Sequence, residues 1–481
     1  MEATAVGSHE RGPERPHRVT HNPLVRIGSD LLAEWRARGH FPPGPTGFSI
    51  RRTYGVVHDP LPILLGCYER HGPVFTTRLF HGKQVWMLGP EANQFVLVSH
   101  PENFVWRDGN FGDLIPLLGD GLLTIDGAYH DRARRIMMPA FHSDQINASH
   151  ETMAAETSAA MGAWRDGEVV DVYEWMRKLA MRIAMRALLG LDPDDAGHGG
   201  AAARHFERAL AYYGTDAPQR VMRGPGTAWR RMVRARAALD EIVYGEISRR
   251  RADPDPERLD VLSLLITARD EDGSGLTDAE VRDQVMTLMF AGHDTSTSTV
   301  TFQLYELARN PRAREHLCEE VDQVLRGDPP DAATLHRELP YLEMATDETL
   351  RLYPPAWIGP RRATRTFEFA GHEVPAGAYV NYCSWASHRL PDVFEDPGAF
   401  VPERFTRERK TALPRGAYVP FGGGSRICIG KRFGQTEVKL VTAMVLQRFE
   451  PHLLAGHRMV VRQMPTLGPK GGLPLRLRAR A

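Results

Sequence analysis

The sequence predicts a mainly α fold, α+β in class, built as one large domain with a smaller β portion. Three observations point there. Helix-forming stretches dominate the chain beyond residue 47. Short β-like runs, VFTTRLF (74–80), QVWMLG (84–89), EFAGHEVPAGAYVNY (368–382) and LPLRLRA (473–479), come from both ends of the chain instead of alternating with helices. No internal repeat, and no linker long enough to divide the chain, interrupts the pattern. Apolar residues make up 42% of the 481, enough for a substantial core.

Taken in order, residues 1–22 read as a flexible tail and residues 23–481 as the domain. The opening stretch, MEATAVGSHERGPERPHRVTHNP, is polar and rich in Arg, His and Pro. It has no apolar run of the length that a signal peptide or a membrane span needs. Cys67, Cys318, Cys383 and Cys428 lie far apart with no CxxC pair, which argues against zinc ribbons, iron–sulfur clusters and dithiol redox chemistry. So few thiols in so long a chain predict a reducing, cytoplasmic setting and a soluble protein. Sixty basic residues balance sixty acidic ones. No global field therefore draws nucleic acid or an anionic membrane, and a charged partner must be met by a local patch.

FPPGPTG (41–47) predicts a stiff turn into the fold, and DPDDAGHGG (192–200) and RRRADPDPER (249–258) predict loops. Thr277-Asp278-Ala279-Glu280 is a capping box, in which the Thr and Glu side chains satisfy orphan N–H groups reciprocally. Helical character continues to Asn310-Pro311, where proline stops it, giving about 32 residues or roughly 48 Å. A helix that long crosses a domain and tends to line whatever site the domain holds. Its middle, FAGHDTSTSTVT (290–301), is poor helix material, because glycine and hydroxyl residues compete with the helical backbone. Two readings fit it. One is a close helix–helix contact whose hydroxyls bond back to the previous turn. The other is a bulge that frees backbone groups, with Asp294 and Thr295 as an acid–alcohol pair able to relay protons.

PYLEMATDETLRLYPP (340–355) predicts a helix on which Glu348 and Arg351 have, taken alone, the spacing of an ordinary solvated pair. HRLPDVFEDPGAFVPERF (388–405) is loop-like and leads to Pro402-Glu403-Arg404-Phe405. The last distinctive stretch is FGGGSRICIGKRFG (421–434). Its glycines and Gly430-Lys431 suggest a phosphate cradle, and counting removes that reading. Ser425 stands where a P-loop needs its first glycine, Arg432 where it needs Ser or Thr, and Ile427 where a dinucleotide fingerprint needs its third glycine. Lys431 instead opens the next helix.

Together these segments resemble the cytochrome P450 family. FGGGSRICIG places Phe421, Gly424, Arg426, Cys428 and Gly430 at the positions of its haem-thiolate signature. AGHDTS (291–296) resembles its oxygen-activation motif, ETLR (348–351) its ExxR element and PERF (402–405) the loop that follows. His130 and Arg134 form an HxxxR pair where the family has WxxxR or its histidine variant, and FPPGP (41–45) resembles its proline-rich leading segment. The resemblance covers essentially residues 23 to 481.

It implies a single domain whose long central helix lies over haem b, iron protoporphyrin IX, with Cys428 thiolate as the axial ligand. A thiolate pushes electron density to iron. Gly424 and Gly430 would let the loop turn tightly and bring N–H groups towards sulfur, and Phe421 would pack beside the thiolate. Arg426, Arg134, His130 and Arg362 are the implied partners of the haem carboxylates, with Arg361 adjacent and not separable from Arg362. Glu348, Arg351 and Arg404 would form a buried, structural charge network beneath the cysteine loop. The pocket walls would include Phe111, Leu114 and Ile115, then Ala291 and Thr295, then Trp357 and Ile358, and the turn MPTLG (464–468). Trp357 reads equally well as packing.

The implied reaction is insertion of one oxygen atom of O2 into a C–H or C=C bond of an apolar molecule: a terpenoid, steroid, fatty acid or polyketide. Asp294 and Thr295 would deliver protons during oxygen activation. About 50 residues follow Cys428, so no fused flavin or iron–sulfur domain is expected. Electrons would come from a separate ferredoxin or flavodoxin with its NAD(P)H-dependent reductase. That donor would dock on a monomer at a basic patch such as Arg132, Arg135, Lys431 and Arg432. A peroxide-driven peroxygenase and a non-catalytic haem-binding protein are the alternatives, and the Asp294-Thr295 pair argues against both.

Overall fold

The computed structural model describes residues 15–37 and 41–480. Of the expected tail, residues 1–14 lie outside the described residues. Residues 15–22 form neither helix nor strand, and Arg107 Nε donates to the His17 carbonyl at 2.6 Å. Asn22 caps the helix Pro23–Arg36, accepting from the Leu24 N–H, with proline at the first helical position, where its missing N–H costs nothing.

The architecture is mainly α with small sheets at its edges, as the sequence predicts. A five-stranded sheet runs in the order Val74–Leu79, Gly82–Met87, Tyr379–Tyr382, Gly359–Ala363, Phe104–Val105. A three-stranded sheet joins Val169–Asp171, Pro474–Ala479 and Phe449–Leu453. The predicted run 368–382 divides into three short strands, because Gly371 and Gly377 turn the chain at positive φ (75° and 78°). The loop predicted over 249–258 starts late, since the helix Ala228–Ala252 runs into it. Arg249 and Arg250 both reach back to Glu246 at 2.6 Å, and Arg250 also holds Asp260 and the Leu189 carbonyl. Those pairs carry the helix through a stretch that reads as a charged loop.

The long helix Asp278–Arg309 spans 32 residues, opened by the predicted capping box and closed at Asn310. It is buried almost all round, as a helix through a domain centre must be. Between Gln284 and Leu307 the residues with free surface are Phe290, Ala291, Gly292 and Thr295. No bulge interrupts the helix. Thr295 Oγ1 donates to the Ala291 carbonyl (2.6 Å), Thr297 Oγ1 to His293 (2.8 Å) and Thr299 Oγ1 to Thr295 (3.0 Å). The hydroxyls thus take the back-bonding option that the sequence left open. No helix among the described residues is long and apolar enough to cross a membrane.

Candidate functional site

The cysteine loop is shaped by its own backbone. The Cys428 N–H donates to the Phe421 carbonyl at 2.9 Å, and Gly422 and Gly424 sit at φ 70° and 60°. A Cβ on Gly424 would lie 2.1 Å from the Leu97 carbonyl oxygen, so no other residue fits there. Gly430 differs from the expectation. Its φ is −86°, it caps the helix Lys431–Arg448, and its contribution is an N–H aimed at the Cys428 sulfur. Lys431 Nζ lies 5.5 Å from the Phe421 ring centre.

Of the four cysteines, Cys67, Cys318 and Cys383 are buried, and Cys428 alone has open surface. Desolvation nevertheless pushes its thiol up, against the Gly430 N–H and the charges of Arg134 and Lys431. Free surface together with desolvation means that the sulfur faces a space inside the protein. The surrounding donors leave it a neutral thiol, so a metal cation is needed to make the thiolate.

Near it is a surplus of positive charge. Arg426 Nη2 donates to Asp126 at 2.7 Å, while its Nη1 has no partner among the described residues. Arg361 is buried with its guanidinium 3.8 Å from the Trp106 ring centre and no ion pair among the described residues. Burial, with Arg426 adding to it, holds Arg361 down to about 10. Arg134 likewise makes no ion pair among the described residues, and burial lowers it too. Burial, then Arg426 and Arg134, pushes His130 down to about 4. Its Nδ1 lies 2.9 Å from Asp131 Oδ1, and a carboxylate only accepts, so Nε2 of the neutral ring is an acceptor. His130 can donate to a further carboxylate only when protonated, which qualifies the simple donor role expected for it.

Arg362 is corrected. It lies 2.9 Å from Asp30 Oδ1 and stacks on Tyr379, on the opposite face of its strand from Arg361. Strand alternation allows one of two adjacent arginines to look inward, and the inward one is Arg361. These residues fit an iron porphyrin: one thiol with open surface, a buried Arg361 and a half-buried Arg134 without carboxylates, and a half-buried Arg426 with one nitrogen to spare.

On the long helix, Asp294 and Thr295 do not meet. Thr295 lies on the open stripe with Ala291, whereas Asp294 is buried beside Arg177 Nη1 (3.5 Å) and His293 Nδ1 (3.0 Å). The His293 contact is not aligned for a straight hydrogen bond. Burial works to raise the Asp294 carboxyl, and His293, Arg177 and Arg462 outweigh it, holding it below the usual carboxylate range. His293 Nε2 sits 3.1 Å from the Arg177 carbonyl.

Sequence reasoning missed Glu437. It is buried on the helix Lys431–Arg448 and accepts from Ser296 Oγ, which joins that helix to the long one. Burial pushes its carboxyl up to about 7. Nothing in its own stretch, GQTEVKL, marks it out from an ordinary helix acid.

The expected pocket residues divide. Phe111 stacks on Trp106 at 5.0 Å, and Phe111, Ile115, Ala291 and Ile358 keep free surface, while Leu114 is buried in the core. Trp357 is packing: it is buried, and its indole N–H donates to the Gln463 carbonyl at 2.9 Å. The Leu467 N–H donates to Pro355, which ties the turn 464–468 to this wall.

Glu348 and Arg351 are fully buried and paired through two hydrogen bonds of 2.6 and 2.8 Å. Arg351 also donates to the carbonyls of His388, Pro397 and Ala399. Arg404 Nε approaches Glu348 at 3.4 Å without an aligned bond. The neutral His388 ring accepts the Val419 N–H, and the Val419 carbonyl accepts the Gly422 N–H, so the pair reaches the cysteine loop through backbone. Of the basic patch, Arg132 and Arg135 are engaged by Asp270 and Glu280, which leaves Lys431 and Arg432 exposed.

Comparison with known proteins shows the family. The family model described as "Cytochrome P450" matches residues 42–471. "Cyclooctatin synthase" of Streptomyces melanosporofaciens is 38% identical over 367 residues, 75% of this chain and 79% of that protein. "Cyclooctat-9-en-7-ol 5-monooxygenase" of the same organism is 36% identical over 390 residues, 80% and 84% of the two. The solved structure "Retinoic acid bound cyanobacterial CYP120A1" superposes with a TM-score of 0.81 at 28% identity, over 92% of this chain and 99% of that one. The chain therefore belongs to the cytochrome P450 family, as an oxidoreductase with a cysteine-ligated haem that oxygenates an apolar substrate with electrons from a redox partner.

Proposed function

We propose that this monooxygenase hydroxylates or epoxidises a cyclic terpenoid. Cys428 would hold the haem iron and Arg134, Arg361 and Arg426 its carboxylates, with His130 joining them only when protonated, and Asp294 and Thr295 would move protons. One observation carries the reading. Two free surfaces lie inside a desolvated core, Cys428 ahead of one helix and the Ala291–Thr295 stripe on another, and the helices are joined through Ser296 and Glu437. The apolar walls Phe111, Ile115 and Ile358 and the printed names of the two Streptomyces relatives support the substrate class.

When bound, the haem supplies the oxygen-activating redox chemistry. Thr295 already donates its proton to Ala291, so its oxygen is left to accept from the open side. Asp294, held below the usual carboxylate range beside His293 and Arg177, would take a proton from solvent water and carry it over by rotation to the side of Thr295. A ferredoxin or flavodoxin, reduced by its NAD(P)H-dependent reductase in the cytoplasm, docks at Lys431 and Arg432.

Titration with terpenoid alcohols, steroids and fatty acids tests the class. A low- to high-spin shift is expected with the terpenoid alcohols, and a shift with fatty acids alone would overturn the reading. Thr295→Ala should divert electrons to hydrogen peroxide and lower the coupling of electrons to product by about tenfold or more. Unchanged coupling would remove its role. Arg361→Leu should speed haem loss by roughly tenfold, the worth of one charge-assisted hydrogen bond. Arg362→Leu should leave that rate unchanged and loosen the helix Pro23–Arg36 instead, seen as faster proteolysis there.

A further inference from the structure

Trp106 lies outside the segments that carry the family resemblance, and the register of the five-stranded sheet places it. Phe104 pairs with Ala363 and Val105 with Arg362 across antiparallel strands. Continued by one residue, that register sets Trp106 opposite Arg361, and residues directly opposite share a face of the sheet. Alternation turns Arg362 to Asp30 on one face and leaves Trp106 with Arg361 on the other. The Arg361 guanidinium lies 3.8 Å from the Trp106 ring centre. The Arg426 guanidinium, which comes from the cysteine loop, lies 4.9 Å from the same ring.

The ring is itself fixed through backbone. The Trp106 and Arg107 N–H groups donate to the Asp126 carboxylate at 3.0 and 2.9 Å. Asp126 immediately precedes the helix Gly127–Met137, which carries His130 and Arg134, and it also accepts from Arg426 Nη2. The Gly109 N–H returns to the Trp106 carbonyl at 3.0 Å. A Cβ on Gly109 would lie 3.1 Å from the Arg361 carbonyl carbon, so this turn is pressed against the Arg361 backbone.

Two guanidiniums brought to one place repel, and Arg426 is among the charges that lower Arg361. Asp126 answers Arg426 but makes no ion pair with Arg361. The negative face of the indole attracts both cations, and desolvation strengthens that attraction. Trp106 is half-buried and Arg361 is 2% exposed, so water screens the contact little. At 3.8 Å the Arg361 guanidinium lies against the ring face, which leaves its N–H edge for a carboxylate. One of those N–H groups already donates to the Pro360 carbonyl at 3.0 Å. We propose that Trp106 is a haem-positioning residue, whose indole holds Arg361 and Arg426 side by side so that the haem carboxylates meet a preassembled pair. The inference rests on the reading of these two arginines as carboxylate partners.

The rate of haem transfer from the full chain to an excess of a haem-scavenging apoprotein tests it. Trp106→Leu should speed haem loss by about tenfold, the scale of one desolvated contact between a cation and a ring. Trp106→Phe, which keeps a ring face, should stay within about threefold of the unchanged protein. In an Arg361→Leu background, Trp106→Leu should add about threefold or less, because the ring then holds Arg426 alone. A merely structural role for the ring would add the same factor in both backgrounds. If Trp106→Leu does not fold, Trp106→Met, which also lacks a ring, takes its place. The proposal is overturned if Trp106→Leu leaves haem loss unchanged, if Trp106→Phe is as fast as Trp106→Leu, or if the full effect persists beside Arg361→Leu. An Arg361→Leu protein that keeps its haem would overturn the carboxylate reading. Faster loss from Arg361→Leu with none from Trp106→Leu would overturn this inference alone.

Discussion

Cys428→Ser should abolish thiolate ligation outright. The reduced, CO-bound protein should lose the far-red-shifted Soret band of a thiolate-ligated haem, and turnover should fall below detection. The other cysteines cannot stand in. Burial pushes Cys318 up to about 11 and Cys383 up to about 12, and Cys67 is likewise buried and raised. Serine keeps the loop, because the bond from residue 428 to Phe421 is made by backbone and Gly424 sets the turn. The loss should therefore be chemical, with the melting temperature of the haem-free protein nearly unchanged. Cys67→Ser, Cys318→Ser and Cys383→Ser should all retain the band. A Cys428→Ser protein with an unchanged spectrum would place the ligand elsewhere.

The largest loss of stability should come from Arg351→Ala. It removes a fully buried guanidinium that satisfies Glu348 and three backbone carbonyls. Breaking one side of such a pair strands the other charge in the core and costs about 3–5 kcal/mol. Because Val401 N–H also rests on Glu348, the loop 388–401 should loosen, and with it the path through His388 and Val419 to the cysteine loop. Urea unfolding of the haem-free protein measures the stability, and the haem content of the purified protein measures the damage to the loop. Arg351→Lys should restore little, since an ammonium cannot reproduce a planar fork that serves five acceptors. A loss under about 1 kcal/mol would mean that the pair behaves as the solvated i, i+3 contact its spacing suggests.

The two predictions differ in how legible their residues are. The cysteine loop could be read from spacing, because Gly424 is required by a backbone contact and the helix start at Lys431 follows within a few residues. The capping box at Thr277 was legible for the same reason. Glu348 and Arg351 could not be told from a surface pair by their spacing. Their partners, the carbonyls of His388, Pro397 and Ala399, arrive from 37 to 48 residues away. The end of the helix Ala228–Ala252 was misplaced because Arg250 finds Asp260 and the Leu189 carbonyl only in the folded chain.

The sequence by itself determined the family, the mainly α class, the long helix and the cysteine. Each depends on short-range backbone geometry or on a fixed order of motifs. The tertiary structure decided which side each polar group faces. It chose Arg361 over Arg362, parted Asp294 from Thr295 and buried Glu437 against Ser296. The physical reason is the same throughout. A side chain's charge state and direction are set by desolvation and by its partners, and those partners are remote in sequence, as Asp30 is from Arg362 across 332 residues.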